Sequence, residues 1–337
     1  MNFIYKVARF GIPVVIALGI GYYAGTSANS YIPAFSDTSD SFFVQKSDKY
    51  RFTSPLLDCE VYSDRNRSFL QPFQHKLEEL QEEFIKKEKL ATQISIYFRD
   101  LSYGASYGVE EDEQFTPASL LKVPLMIAYL KLAETDNTLL QKELVYTPDP
   151  TQTILSQNIQ PPETILPGKK YTVDQLLTFM IIDSDNYAQT LLYNNVKGET
   201  LDAVYTDLGI SIPGVKSTED YMTVREYASF FRILYNSTYL TRDMSEKALK
   251  LLSQVDYNDG LRAGIPSDVP LANKFGERRI VYPDEGREVI QLHDCGIIYY
   301  SKRPYLLCIM TRGSSFQQLT SVISRTSQAI YQEMTQL

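Results

Sequence analysis

The sequence predicts an α+β fold in which strands from both ends of one domain form a single antiparallel sheet, flanked by helices and interrupted by an all-helical insertion. Two strand-like segments, 93–98 and 105–109, precede a long helical stretch, and strands return only after residue 270. With 337 residues, 44% of them hydrophobic, the chain can bury a large core. This order of segments predicts one sheet built from the two ends of the domain.

The first residues of the chain predict a membrane segment. Lys6 and Arg9 flank an apolar stretch, 10–25, that is short for a span unless the preceding residues contribute to it. We therefore expect an uncleaved membrane anchor over residues 1–25, and a signal segment cleaved after Thr26-Ser27-Ala28 is the alternative.

Residues 26–48 predict a linker, because serine and threonine dominate this stretch. The folded domain is then expected over residues 49–337. Because positively charged residues flanking an apolar segment stay in the cytoplasm, both alternatives for the first segment predict a domain outside the cytoplasm.

The folded domain is predicted to open with an amphipathic helix over residues 68–89, and His75 lies off its apolar face. That apolar face comprises Phe69, Phe73, Leu77, Leu80 and Phe84. Helices of the insertion are predicted at 173–182, 187–194, 201–208, 224–235 and 245–252. The later strands are predicted at 271–274, 289–300 and 305–311, and the last helix at 316–334.

One apolar helical run, from Thr116 to Leu130, carries a single charge near its start, Lys122. A buried ammonium is rare unless something pairs with it or uses it. Thr116 as N-cap and Pro117 at the first helical position would put Ser119 and Lys122 on the same face. Since burial favours the neutral amine, Ser119 is a candidate nucleophile with Lys122 as its base. The alternative is a chance Ser-x-x-Lys pattern.

Charge and histidine content exclude several classes of protein. The net charge is −8, and no stretch is rich in lysine or arginine, so we expect no nucleic-acid partner. His75 and His293 are the only histidines, which excludes most histidine-rich metal sites, and we expect neither a metal nor a cofactor. His293-Asp294 could orient a base for Ser119, but its place on an interior strand favours a structural role.

The cysteine content allows at most one disulfide, because the chain contains only Cys59, Cys295 and Cys308. Cys295 and Cys308 are expected on neighbouring strands. Their partners are not determined by the sequence, and three buried free thiols are the alternative.

Two further motifs follow Ser119 and Lys122 along the chain. Ser184-Asp185-Asn186 lies at the junction of two predicted helices, where helix N-capping is the alternative interpretation, and Lys274-Phe275-Gly276 ends a strand-like segment. Ser-x-x-Lys followed by Ser-Asp-Asn and then Lys-x-Gly resembles class A β-lactamases and their penicillin-binding relatives, from about Phe69 to the C-terminus. The resemblance implies the serine β-lactamase and transpeptidase-like fold.

The resemblance also implies roles for individual residues. Ser119 would be the acylated nucleophile, and Lys122 would accept or relay its proton. Ser184 would pass a proton to the leaving nitrogen, Asn186 would bind the substrate amide and Lys122, and Lys274 would supply positive potential.

The strand that carries Lys274 is implied to contact the substrate through Phe275, Gly276 and Glu277. The oxyanion hole would consist of the backbone N–H groups of Ser119 and Glu277.

The sequence departs from the family pattern at three places. Phe275 stands where the family has threonine or serine, so a hydroxyl that usually contacts the substrate carboxylate is missing. The arginine that many class A enzymes carry on the following strand is absent, and Arg278 and Arg279 are the candidates to replace it. No residue clearly matches the glutamate that directs the deacylating water. Glu219 and Asp220 are the candidates, with N-capping of the next helix as the alternative.

The function predicted from the sequence is that of an extracytoplasmic serine acyl-transferase or hydrolase that forms a Ser119 acyl-enzyme with β-lactams. The missing glutamate favours slow hydrolysis. The alternatives are a D,D-peptidase acting on cell-wall peptides and a penicillin or cell-wall sensor that does not turn over. The expected partners are a β-lactam or cell-wall peptide and, through the N-terminal segment, a membrane. The sequence does not determine the oligomeric state.

Overall fold

The central sheet joins the two ends of the domain, as the sequence predicts. A computed structural model describes residues 50–54, 64–149, 157–213, 219–282, 286–301 and 303–336. The sheet strands are β1 (Gln93–Asp100), β2 (Ser106–Val109), β7 (Leu271–Tyr282), β8 (Arg287–Ile298) and β9 (Tyr305–Gly313). Their spatial order is β2-β1-β9-β8-β7, and every neighbouring pair is antiparallel. The α+β prediction is confirmed.

The helices lie close to their predicted positions, except for one short helix after residue 259 that the sequence analysis did not predict. They are α1 (Asp64–Glu82), α2 (Lys122–Ala133), α3 (Val173–Ile182), α4 (Asn186–Asn195), α5 (Gly198–Asp207), α6 (Val224–Asn236), α7 (Arg242–Leu252), α8 (Gly260–Ala263) and α9 (Phe316–Thr335). Capping boxes begin α3 and α6: the side chains of Thr172 and Thr223 each accept the third backbone N–H of the helix. These caps explain why the predicted starts of both helices agree with the structure.

Strand β7 is longer than the sequence predicts. The apolar pattern ends near Lys274, yet β7 pairs with β8 from Leu271 opposite Ile298 to Tyr282 opposite Arg287. Backbone hydrogen bonds to β8, which need no apolar side chains, extend the strand through a charged stretch.

The sequence analysis also missed two small sheets. One pairs β3 (Gln114–Phe115) with β6 (Met222–Thr223), and the other pairs β4 (Glu143–Val145) with β5 (Lys170–Thr172). Strands this short show no periodicity.

The core lies on both faces of the sheet. Helices α1 and α9 cover one face, where Phe73, Phe84 and Ile323 pack with Leu307. The helical insertion covers the other face, where Met126 belongs to the same cluster as the β9 residues Leu306, Cys308 and Met310. Residues of β9 thus alternate between the two clusters, as a strand buried on both faces requires. His75 is exposed, which confirms its predicted surface position.

Several predictions fall on parts of the chain that the structure does not describe. The expected anchor at 1–25, the linker at 26–48 and Cys59 lie outside the described residues and stay predictions. Within the described ranges, no helix combines the length and the apolar character that a membrane crossing requires.

A disulfide joins the neighbouring strands β8 and β9. Cys295 on β8 is the register partner of Cys308 on β9, and their sulfur atoms are bonded. Both residues are fully buried. The prediction that these cysteines lie on neighbouring strands is confirmed.

Removal of this disulfide should destabilise the domain. The bond closes a loop with a sequence separation of 13, and a loop of that size corresponds to about 3 kcal/mol of stabilisation through the unfolded chain. The double variant Cys295→Ala/Cys308→Ala should therefore unfold at clearly lower denaturant concentration than the oxidised parent. Cys59→Ala is the matched control, since it removes a thiol and leaves the disulfide intact. Equal midpoints for parent and double variant would contradict the expectation.

Candidate active site

Ser119 lies on a tight turn that leads directly into α2. The turn is a 3₁₀ helix, Ala118–Leu121, and α2 begins at the next residue, Lys122. Ala118 has a φ of 50°, an uncommon left-handed conformation for a residue with a side chain. Such strain is tolerated where surrounding contacts fix the backbone. In this turn the fixing contacts are hydrogen bonds to Thr116, two residues before Ala118.

Thr116 does not cap the helix as the sequence analysis expects. Its hydroxyl donates instead to Asp220 Oδ1 at 2.6 Å, and its backbone N–H donates to Gln291 Oε1 at 3.0 Å. His293 Nε2 lies 3.0 Å from the Thr116 carbonyl oxygen. Side chains from β8 and Asp220 therefore hold all three polar groups of Thr116, and these contacts fix the start of the nucleophile turn.

The Lys122 amine makes the central contacts of the site. Its Nζ donates to the Ser184 carbonyl oxygen at 2.6 Å and to Asn186 Oδ1 at 2.8 Å. The hydroxyl oxygens of Ser119 and Ser184 each lie 3.0 Å from the same nitrogen. Lys122 is fully buried, whereas Ser119 is only half-buried. The arrangement places a buried amine against an accessible hydroxyl.

The amine of Lys122 is suited to act as a base. Burial, assisted by the positive charge of Lys274, holds the pKa of Lys122 well below its usual range. A neutral amine has two N–H groups and one lone pair. The carbonyl oxygen of Ser184 and the amide oxygen of Asn186 can only accept, so they take both N–H groups. The lone pair is then left for a hydroxyl proton.

The Ser184-Asp185-Asn186 motif divides its roles between capping and contact with the amine. Asp185 caps α4 by accepting from the Tyr187 N–H at 2.7 Å, so the capping interpretation holds for this residue. Its other carboxylate oxygen accepts from the Ile165 N–H at 2.8 Å. Ser184, with a φ of 56°, presents both its carbonyl oxygen and its hydroxyl to Lys122. The motif places three oxygen atoms within hydrogen-bond distance of the amine and fixes the loop before β5.

Lys274 contacts the opposite side of the Ser184 hydroxyl. Its Nζ donates to Ser184 Oγ at 2.9 Å and to the Phe275 carbonyl oxygen at 3.1 Å. Burial lowers the pKa of Lys274 to about 7, although the negative charges of Asp294 and Glu277 oppose this shift. Ser184 Oγ therefore lies between two amines, which is the geometry of a proton relay.

Gly276 allows β7 to pack directly against the nucleophile turn. A Cβ at this position would lie 2.8 Å from the Pro117 carbonyl oxygen and 3.0 Å from the Leu120 backbone nitrogen. Contacts this short are incompatible with any side chain unless the backbone moves. The glycine therefore brings the β7 backbone beside Ser119, where the oxyanion hole is expected.

Phe275 is buried rather than part of an open rim. It is 3% exposed, and its ring centroid lies 4.3 Å from that of Tyr257 and 4.0 Å from Lys274 Nζ. The ring thus shields the amine from solvent on one side and supplies no hydroxyl.

The other candidates for substrate or water contacts are occupied by partners within the protein. Glu219 lies 3.3 Å from Arg278, and Arg279 lies 2.9 Å from Glu288, so both arginines are paired with acids. Asp220 accepts from Thr116 and forms an ion pair with an arginine of β9 at 3.0 Å. These contacts give Asp220 a structural role.

His293 and Asp294 do not form a pair with each other. His293 Nδ1 accepts from the Thr311 N–H at 3.2 Å, so Nε2 carries the proton that is donated to Thr116. Burial lowers the pKa of His293 to about 4, so the ring is neutral at pH 7. Asp294 accepts from Asn273 at 2.8 Å and from the Leu261 N–H at 2.9 Å. The expected structural role of His293 and Asp294 holds, and each side chain bonds to groups outside the pair.

The sequence analysis missed the loop between β4 and β5 and the side chain of Glu277. Gln157 Nε2 donates to the Ser184 carbonyl oxygen at 3.0 Å, and Glu277 Oε1 accepts from the Asn158 N–H at 2.7 Å. No periodicity or motif marks this loop. The one signal in the sequence was Glu277 itself. A carboxylate directly after Lys-x-Gly lies close to the buried lysines and needs hydrogen-bond donors, which this loop supplies.

Comparisons with known proteins agree with this geometry. The family model described as "Beta-lactamase enzyme family" matches residues 76–334. The chain belongs to this family. A β-lactamase of Streptomyces albus G is 25% identical over 207 residues, which cover 55% of this chain. The match spans 64% of that relative's own length.

Solved structures of the family share the fold. The structure of PBP-A superposes with a TM-score of 0.63 at 20% identity and covers 86% of this chain and 100% of its own. A mutant of PBP-A has been solved as an acyl-enzyme complex with penicillin G. A β-lactamase from Chitinophaga pinensis gives a TM-score of 0.64 at 16% identity, covering 78% of this chain and 99% of its own. These similarities confirm the serine β-lactamase-like fold. The roles of individual site residues stay predictions.

Substitution of Lys122 should separate catalysis from folding. In Lys122→Met an apolar side chain of similar length removes the cost of burying an amine, so the free energy of unfolding should stay equal or rise. Acylation should fall by about 10²- to 10⁴-fold, the usual effect of losing a general base. Lys131→Met is the matched control, because Lys131 lies on the same helix, is partly exposed and pairs with Glu134. An unfolded Lys122→Met protein would instead assign the lysine a structural role.

Acylation should show a bell-shaped dependence on pH. Lys122 accepts a proton only as the neutral amine, so the rate should fall as the pH drops below its lowered pKa. Raising the pH through about 7 removes the positive charge of Lys274, which should lower the rate again. Rates of adduct formation, measured by intact-protein mass spectrometry from acidic to alkaline pH, test the acidic and the alkaline side of this profile. A rate that rises steadily into the alkaline range would contradict the role of Lys274.

Proposed function

We propose that this protein is a serine acyl-transfer enzyme in which Ser119 forms a covalent acyl-enzyme with β-lactams. One observation carries the proposal. Lys122 Nζ lies 3.0 Å from the hydroxyl oxygens of both Ser119 and Ser184, while acceptor oxygens take its two N–H groups. An amine held in this way can accept a proton only from one of those hydroxyls.

The proposed acylation follows from these contacts. Lys122 accepts the Ser119 proton as Oγ bonds to the carbonyl carbon of the substrate, and the oxyanion lies against the backbone N–H groups of Ser119 and Glu277. The C–N bond then breaks. Ser184 gives its hydroxyl proton to the leaving nitrogen and regains one from Lys122, so the charge on Lys122 returns to its starting value. Lys274 stabilises the transient negative charge on Ser184 Oγ.

The second step of the reaction is expected to be slow. Between the end of α5 and the start of β6, Glu219 and Asp220 are the only carboxylic acids in the sequence. Glu219 is paired with Arg278, and Asp220 holds Thr116. Neither carboxylate is left to activate a water against the acyl-enzyme. This favours a long-lived adduct, and with it a D,D-peptidase or sensor role on cell-wall peptides as the second candidate.

We also propose that the domain works outside the cytoplasm, behind an N-terminal anchor. The composition of residues 1–25 supports the anchor. The disulfide between Cys295 and Cys308 supports the location, because disulfides persist in oxidising compartments and are rare in the cytosol.

Penicillin G should label Ser119 stoichiometrically, and the label should be lost slowly. Losing a placed general base typically costs about 10²- to 10⁴-fold in rate, so the adduct should outlast many turnovers of an efficient β-lactamase. Intact-protein mass spectrometry over time gives both the extent of labelling and its loss. Ser119→Ala should show no adduct, and Glu219→Gln should leave the adduct's lifetime unchanged. An adduct that persists on Ser119→Ala would overturn the assignment.

A further inference from the structure

The loop before β5 crosses the site from one wall to the other. On one side, Gln157 Nε2 donates to the Ser184 carbonyl oxygen at 3.0 Å. On the other, Glu277 Oε1 accepts the backbone N–H groups of Asn158 at 2.7 Å and Ile159 at 2.8 Å. Residues 157–159 therefore span the distance between Ser184 and β7, and one oxygen of Glu277 holds the far end.

The second carboxylate oxygen of Glu277 is buried with its hydrogen-bonding capacity unsatisfied among the described residues. Oε2 is buried and accepts no hydrogen bond from any residue that the structure describes. Burying a carboxylate oxygen without a hydrogen-bond donor costs more free energy of folding than burying an unsatisfied neutral group. The residue follows Gly276, whose close approach to the nucleophile turn places this part of β7 next to Ser119. An incoming substrate group can supply the missing donor.

The charges around Glu277 leave the site unfavourable for a carboxylate. Burial holds the pKa of Lys122 well below its usual range, and the amine of Lys274 already donates to Ser184 Oγ and to the Phe275 carbonyl oxygen. Arg278 is paired with Glu219, and Arg279 is paired on the neighbouring strand. A substrate carboxylate near Ser119 would thus meet the carboxylate of Glu277, while Arg278 and Arg279 are already paired with acids.

We propose that Glu277 selects acyl donors that carry a hydrogen-bond donor, a carboxamide or an amine, at the position where penicillins carry a carboxylate. Oε2 accepts from that group while Oε1 keeps the loop in place. Phe275 acts in the same direction, since it contributes no hydroxyl to bind a carboxylate. This inference rests on the proposed function, because it concerns the substrate of the same Ser119 site.

A matched pair of β-lactams tests the selection. Rates of Ser119 acylation are measured by intact-protein mass spectrometry with penicillin G and with its carboxamide, which differ only at the group in question. The parent protein should react about 10- to 100-fold faster with the carboxamide, the range that one charge-assisted hydrogen bond spans. Equal rates, or a faster reaction with penicillin G, would overturn the selection and leave the proposed function standing.

A conservative variant tests whether Glu277 is the cause. In Glu277→Gln the amide oxygen can still accept from Asn158 and Ile159, so the loop keeps its anchor while the charge is lost. The preference for the carboxamide should shrink by at least about tenfold. Glu79→Gln is the matched control, since it removes the same charge from α1 at a residue paired with Lys76, and its preference should equal the parent's.

The outcomes separate the two proposals. An unchanged preference in Glu277→Gln would overturn Glu277 as the selecting residue. If Glu277→Gln fails to fold, the comparison of the two β-lactams on the parent protein still decides whether the selection exists. Absence of any adduct on Ser119 from either compound would overturn the proposed function itself.

Discussion

The site depends on keeping the amine of Lys122 buried and uncharged. The apolar residues of α2 make the burial possible, since nearly every residue from Val123 to Leu130 is buried in the helical core. Desolvation then lowers the pKa, and Ser184 and Asn186 supply the two acceptors that the amine needs. Without those acceptors, a buried amine would leave unsatisfied donors. The helical insertion therefore has to bring α3 and α4 against α2 before any chemistry is possible.

Much of the fold was predictable because it depends on periodicity that the sequence carries directly. Strands β1 and β9 and helices α3 and α6 lie within a few residues of their predicted bounds. The candidate nucleophile and base were predictable for a related reason: a lone charge in an apolar helix is a local anomaly that needs no tertiary information. The length of β7 was not predictable, since its outer half is held by backbone pairing with β8 rather than by apolar side chains.

The errors concern contacts between residues far apart in the chain. Threonine is a common N-cap residue, but the Thr116 hydroxyl donates to Asp220, which lies 104 positions later. Asp220 in turn looked like a candidate for water activation because of its position, whereas Gln291 and Arg312 hold it in a structural network. In both cases a local rule was outweighed by a charge-assisted hydrogen bond to a partner that only the folded chain brings near.

Strand β7 shows how chemistry and substrate choice are divided within four consecutive residues. Lys274 and Gly276 are constrained by Ser184 and by the nucleophile turn, so neither can change without disturbing the proton relay or the approach of the backbone. Phe275 and Glu277 contact other parts of the molecule, the ring of Tyr257 and the backbone of the 157–159 loop. Because these side chains hold groups outside the proton relay as well, we infer that they influence the choice of substrate. In the proposed function, Phe275 and Glu277 therefore act on which substrate enters, and the Ser119 and Lys122 geometry acts on what is done to it.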